Sequence, residues 1–81
     1  MVGFNFNAEA ELFPGRHPKR RPVGYRRFAR ASDAIRFAIE ELPPELLIGT
    51  CLEVDEQRYD SGAIHRLYES ADYPITRRAA A

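Results

Sequence analysis

Two segments of the chain carry apolar side chains with the period of an α-helix. The first places four of them at i, i+3, i+4 and i+7: Ile35, Ala38, Ile39 and Leu42. Ser32 is a favoured N-cap residue, and Pro43 cannot continue a helix. The pattern therefore predicts an amphipathic helix over residues 32–42. A helix of about ten residues does not hold alone in water, so its apolar face must be packed.

The second segment repeats this spacing with another set: Ile64, Leu67, Tyr68 and Ala71. Asp60 or Ser61 is a suitable N-cap, and Tyr73-Pro74 follows the segment as a terminator. The pattern predicts a second amphipathic helix over residues 61–71.

Two stretches are typical of strands. Residues 23–29 alternate apolar and polar side chains, and residues 45–54 are apolar and β-branched with a break at Gly49. Strand, helix and strand within about 30 residues predict a βαβ unit with a parallel pair, although an antiparallel pair stays open. The expected fold is a small single α/β domain, or α+β if the strands pair antiparallel, with order β-α-β-α and both helices on one face of a short sheet.

The expected organisation has three parts. Residues 1–22 form an N-terminal arm that is partly disordered and contains a basic segment. Residues 23–75 form the folded domain, and residues 76–81 form a disordered tail. Because two strands are too few for a stable sheet, we expect residues 4–6 or a second copy of the chain to extend it.

Length and composition favour a self-associating cytoplasmic protein. A chain of 81 residues makes one domain of marginal stability, so we expect a homodimer. One cysteine excludes an intramolecular disulfide and fits a reducing compartment. The N-terminus lacks the features of a signal peptide, and no run of about 18 apolar residues predicts a membrane span.

Charge is unevenly distributed, although the formal net charge is zero. Residues 1–15 carry two carboxylates. Residues 16–36 carry eight Lys or Arg and one Asp, a net +7, whereas residues 37–81 carry four Arg and nine Asp or Glu, a net −5. Such segregation is typical of chains that contact a charged partner.

The basic half is the best candidate binding feature, because aromatic residues lie among its cations. The expected binding residues are Lys19, Arg20, Arg21, Tyr25, Arg26, Arg27 and Arg30. Such a patch suits an acidic protein surface, and it also suits nucleic acid through phosphate neutralisation and base stacking. The near-neutral pI and the acidic C-terminal half predict that any nucleic-acid binding is weak.

Signatures of catalysis and metal binding are weak. His65 and Glu69 have the spacing of a pair on one helix face, but zinc usually takes three or four ligands. Cys51 lies in a predicted strand without a neighbouring base, as a structural thiol does. The acidic residues around 53–60 match no calcium-binding loop. We expect no enzyme activity, no metal site and no cofactor.

Two stretches carry a resemblance to a protein group: residues 25–43, which include Tyr25-Arg26-Arg27-Phe28-Ala29 and Ala34 to Pro43, and residues 52–74, which include Leu52-Glu53-Val54-Asp55-Glu56 and Leu67 to Pro74. Over roughly residues 22–75 the chain resembles short alphaproteobacterial proteins of unknown function. The resemblance implies a bacterial cytoplasmic setting and transfers no catalytic residue.

The sequence thus favours a non-enzymatic small cytoplasmic interaction or regulatory module. The alternative is a nucleic-acid-binding accessory protein that uses the basic segment over residues 16–30.

Overall fold

Four short strands form one antiparallel sheet in the computed structural model, which describes residues 3–74. The strands, in chain order, are β1 (Ala10–Phe13), β2 (Arg26–Phe28), β3 (Cys51–Val54) and β4 (Gln57–Tyr59). Their order across the sheet is β2-β1-β3-β4. β2 and β4 are therefore the edges, and β1 and β3 are the interior strands.

β1 lies inside the stretch that the sequence analysis assigned to an N-terminal arm. Its Leu12 pairs with Arg26 on one side and with Leu52 on the other. Four residues are too few for a convincing alternation of apolar and polar positions, which is why the pattern was missed. The folded unit thus begins well before residue 23, and the predicted tail over residues 76–81 lies outside the described residues.

The predicted βαβ unit is present in a split form. β2 and β3 are both antiparallel to β1, so they run in the same direction, but β1 lies between them. The predicted direct parallel pair is therefore absent from residues 3–74, and every described strand pair is antiparallel. The domain belongs to the α+β class that the sequence analysis gave for antiparallel pairing.

The first predicted helix is present, but its N-cap residue and the helical type of its second half differ from the prediction. Helix α1 spans Ala31–Arg36, passes into a π-helical segment over Phe37–Glu41, and ends at Leu42 before Pro43. Arg30, not Ser32, occupies the N-cap position. Ser32 is buried, and its amide donates to the Phe6 carbonyl at 2.9 Å. The N-terminal segment, rather than a side-chain cap, thus supplies acceptors at the start of α1.

The other helices occupy the remainder of the chain between residues 44 and 69. Helix α2 (Pro44–Leu47) replaces the first half of the predicted strand, since Pro44 favours a first helical turn. Helix α3 (Ser61–Glu69) is capped as expected, with the Asp60 carboxylate accepting from the Ala63 amide at 2.9 Å. β4 was missed because its three residues, Gln57–Tyr59, are largely polar.

The core lies between the sheet and the helices. Its fully buried large side chains come from both layers: Leu12, Leu52, Ile35, Leu46 and Ile64. Phe4 and Phe6 add no strand; their rings pack edge-on against Tyr59 and Tyr73, at centroid distances of 5.2 and 5.7 Å. Between residues 3 and 74, the helices are too short or too polar for any of them to traverse a lipid bilayer.

A close contact between two glycines joins the end of β1 to the turn before β3. The Gly15 amide lies 3.1 Å from both the Leu46 carbonyl and the Thr50 hydroxyl. A Cβ on Gly15 would lie 2.5 Å from that carbonyl oxygen and 2.7 Å from the Gly49 Cα. Both obstacles are backbone atoms, which move less easily than side chains, so residue 15 must be glycine.

The burial of Ile35 yields a prediction for stability. Ile35 is fully buried, so Ile35→Ala should lower the free energy of unfolding by about 2–5 kcal/mol. Ile48→Ala removes the same atoms from a residue that is 78% exposed, and should change it by less than about 0.5 kcal/mol. Urea unfolding of both variants checks the difference, and equal losses would contradict this account of the core.

Gly15→Ala should lower the free energy of unfolding by about 1–3 kcal/mol, because the added methyl group forces backbone movement. Gly24 is the matched control, since a Cβ there meets no heavy atom within 4 Å. Thermal and urea unfolding of Gly24→Ala should match wild type or exceed it by up to about 1 kcal/mol. A Gly15→Ala protein as stable as wild type would show that the contact is not tight.

Candidate functional site

One face of the sheet is packed by the helices, and the other carries the alternate side chains of the same strands. Ala10 and Leu12 of β1 and Leu52 and Val54 of β3 point into the core. Side chains alternate along a strand, so Glu11, Phe13, Cys51 and Glu53 lie on the opposite side. We call this side, with its flanking residues Glu9, Tyr25, Arg27, Asp55, Glu56 and Arg58, the open face.

A row of four charges crosses the open face. The strand register places Arg27, Glu11, Glu53 and Arg58 side by side on β2, β1, β3 and β4. Two like charges directly opposite each other are unfavourable, so the central carboxylates repel. The Arg58 Nε lies 3.6 Å from the Glu53 Oε1, which partly offsets that repulsion. The row reads positive, negative, negative, positive.

An aromatic pair lies beside this row. The rings of Phe13 and Tyr25 are 5.2 Å apart, and the Arg58 guanidinium lies 5.8 Å from the Phe13 ring. The Tyr25 hydroxyl donates to the Glu11 carboxylate at 2.7 Å, and this bond raises the pKa of Tyr25. Tyr25 is 52% exposed. Large aromatic groups with a polar end are enriched in protein interfaces.

Carboxylates concentrate at the end of the open face where β1 begins. A concavity of about 660 Å³ is lined there mainly by charged residues: Glu9, Glu11, Arg27, Glu53, Asp55 and Glu56. The Arg27 guanidinium lies 3.1 Å from the Glu9 carboxylate, which raises the pKa of Arg27. The five carboxylates outnumber the two guanidiniums of the open face, so this end is acidic.

The opposite end of β1 leads into the basic loop, residues 15–22. Arg20 binds Glu45 of α2 with two contacts, Nε to Oε1 at 3.2 Å and Nη2 to Oε2 at 3.3 Å. A backbone hydrogen bond at Glu45 and then the Arg20 guanidinium lower the pKa of Glu45. The loop cations without an ion pair among residues 3–74 are Arg16, Lys19 and Arg21. The predicted disorder of this segment in solution stays a prediction.

The seven predicted binding residues lie in four separate places. Lys19, Arg20 and Arg21 belong to the basic loop, whereas Tyr25 and Arg27 belong to the open face. Arg26 points to the helical side, with its guanidinium 4.6 Å from the Phe37 ring. Arg30 lies beside α1, 3.5 Å from the Asp33 carboxylate. The structure therefore does not bring these residues into one patch, and their role in binding stays a prediction.

Sequence reasoning missed the residues of β1 and β4 on the open face. Glu11, Phe13 and Arg58 become neighbours only through strand pairing. The alternation of Ala10-Glu11-Leu12-Phe13 was the available signal, and it covers four residues. Of the predicted acidic group, Glu53, Asp55 and Glu56 lie together, whereas Asp60 caps α3.

The residues whose types suggested catalysis or metal binding lie in different parts of the structure. Cys51 is a half-buried free thiol on the open face, and His65 is exposed on α3. Within the described part of the chain, no group of three or more His, Cys, Asp or Glu side chains is arranged to hold a metal ion.

A buried polar cluster joins the π-helical segment to the end of the described chain. The Tyr68 hydroxyl donates to the Glu40 carboxylate at 2.7 Å, and the Tyr73 hydroxyl donates to the Ser32 carbonyl at 2.9 Å. The Glu40 side chain is 4% exposed and also lies 3.3 Å from Arg36. Burial and then Glu40 raise the pKa of Tyr73 to about 12.

No family model, curated protein or solved structure matches this chain. The functional argument therefore depends on the geometry of the open face and the basic loop.

Tyr73 yields a pH prediction. Its folded pKa of about 12 exceeds the ordinary tyrosine pKa of 10.0, so folding favours the neutral phenol. That contribution to stability is fully present below about pH 10 and is lost as the pH rises towards about 12. The stability difference between wild type and Tyr73→Phe should therefore shrink over this range. Urea unfolding at pH 9, 10 and 11 measures it, and a constant difference would contradict the assignment.

Proposed function

We propose that this protein is a non-enzymatic interaction module that self-associates through the open face. The observation that supports the proposal is the character of this face, which presents an exposed tyrosine beside a row of charges and lies opposite the helical layer. An antiparallel sheet can face water on one side, so the proposal depends on the side chains that the open face presents. The exposed ring of Tyr25 is the feature that a fully solvated face does not need.

A homodimer is the proposed form because the chain is small and its charges are complementary. Two copies with zero formal net charge have no overall repulsion, while each copy keeps an acidic and a basic region. The proposed setting is the bacterial cytoplasm, which the resemblance over residues 22–75 implies. An acidic protein that contacts Arg16, Lys19 and Arg21 is the proposed heterologous partner class.

Nucleic-acid binding is the second candidate, and it is favoured by the three loop cations that have no ion pair within the described part of the chain. Three phosphate contacts in duplex DNA would give a log–log salt slope of about −3. The carboxylates of the open face oppose a polyanion, so we expect non-specific affinities no tighter than about 10⁻⁶ M at physiological salt. Fluorescence anisotropy with short oligonucleotides at several salt concentrations distinguishes this role from protein binding.

Light scattering with size exclusion, after nuclease treatment, tests self-association. We expect a particle of twice the 9.3 kDa chain mass at micromolar concentration. Tyr25→Ala removes the exposed ring of the open face and should raise the dimer dissociation constant at least about tenfold, as loss of an interface aromatic does. His65→Ala removes a ring of α3 in the helical layer and should leave that constant unchanged. A wild-type monomer at every accessible concentration would exclude the proposal.

A further inference from the structure

We infer that two copies pack their open faces together with their strands antiparallel, so that the acidic end of each face lies against the basic loop of the other. This inference rests on the proposed self-association and specifies its surface and orientation. The occupant of the open face is thus a second copy of the same chain.

The two ends of β1 lie beside opposite charges. The strand starts beside Glu9 and pairs at Ala10 with Val54, immediately before Asp55 and Glu56. It ends at Phe13 and continues into the basic loop, where Arg16, Lys19 and Arg21 have no ion pair among the described residues. One end of the face is therefore negative, and the chain beyond the other end is positive.

This polarity selects one of the two simple two-fold arrangements. An axis parallel to the strands would place each acidic end on the other acidic end, which costs free energy. An axis across the strands reverses one copy, so each acidic end meets a basic loop. Both contacts form at once because the interface is isologous, and the assembly closes as a dimer.

The area of the face supports participation of the loops. Four strands spaced about 4.8 Å apart, each of at most four residues, cover roughly 300 Å². A stable interface buries about 800 Å² per partner. The strands alone are therefore too small, and the contact must extend beyond their ends. The basic loop lies at one of those ends.

The centre of the face fits the same orientation. The charged row at Glu11 and the aromatic row at Phe13 are neighbours on the same side of β1. An axis between these rows places the charged row of one copy over the aromatic row of the other. Arg27 then opposes the exposed ring of Tyr25, a favourable pairing of cation and aromatic face.

Paired charge reversals test the arrangement. The acid-reversed variant is Glu9→Lys with Glu56→Lys, and the base-reversed variant is Lys19→Glu with Arg21→Glu. Each variant alone places like charges at both contacts, so its dimer dissociation constant should rise at least about tenfold. An equimolar mixture places opposite charges at both contacts, so it should recover a particle of twice the chain mass.

A charge reversal on α3 and a folding measurement serve as controls for the charge reversals at the proposed contacts. Arg66→Glu with Glu69→Lys reverses exposed charges of α3 and should dimerise as wild type does; circular dichroism verifies that every variant is folded. For wild type, the dimer should weaken between 50 and 500 mM NaCl, because ion pairs at the rim are screened.

Three results would overturn the inference. If each reversed variant dimerises as tightly as wild type, or if the mixture fails to recover the dimer, the copies associate through another surface and self-association itself stands. A wild-type dimer that is insensitive to salt would also exclude these contacts. A wild-type monomer would instead exclude self-association and this arrangement together.

Discussion

The insertion of β1 between β2 and β3 is the constraint on which the rest of the structure depends. Its four residues pair on both sides, so their backbone groups hold two other strands in register. The inner side chains Ala10 and Leu12 belong to the core, where α1 packs against β1 and α3 packs against β3 and β4. Without β1, the strands β2 and β3 have no common partner, and the outer residues Glu11 and Phe13 no longer define the open face.

The ion pairs of the folded protein change how the charge distribution along the sequence is interpreted. In the sequence, residues 16–36 form a basic block. In the structure, several of its arginines form ion pairs with carboxylates, some of them far away along the chain. Arg20 meets Glu45, and Arg27 meets Glu9. Exposed pairs of this kind contribute little to stability, typically below about 1 kcal/mol. Their larger effect is electrostatic: four arginines of the block are compensated by carboxylates, whereas three cations of the basic loop have no ion pair among residues 3–74.

The helices were predictable because their apolar period extends over two or more turns. The end of the first helix before Pro43 was also predicted correctly, since a proline disfavours helical geometry at the residue before it; α3, in contrast, ends at Glu69, before the predicted terminator Tyr73-Pro74 is reached. The strands were harder, because three or four residues give no reliable period. Ser32 was predicted to be the N-cap from its intrinsic preference for that position. Its amide instead donates a hydrogen bond to the Phe6 carbonyl of the N-terminal segment.

The candidate site was predictable only in part. Tyr25 and Arg27 were identified from composition, whereas Phe13 and Arg58 become their neighbours through strand register. Asp55 and Glu56 have positive φ angles, 52° and 66°, and form the two-residue loop of the hairpin between β3 and β4. This loop was not predicted because it contains no glycine, the residue that usually indicates such a turn. A site assembled from four strands is therefore visible only after the sheet order is known.

The position of β1 also sets the order in which the fold can assemble. The hairpin of β3 and β4 closes through two residues, whereas the pairing of Leu12 with Leu52 joins positions forty residues apart. Closing the longer loop costs more chain entropy, so we expect the pairing of β1 with β3 to form after the shorter-range pairings of β1 with β2 and of β3 with β4. Topologies dominated by such distant pairings fold more slowly, often in milliseconds or longer. Until β1 pairs with β3, the edges that these two strands share in the folded sheet stay unpaired, and the partly folded chain is most exposed to strand exchange with another copy.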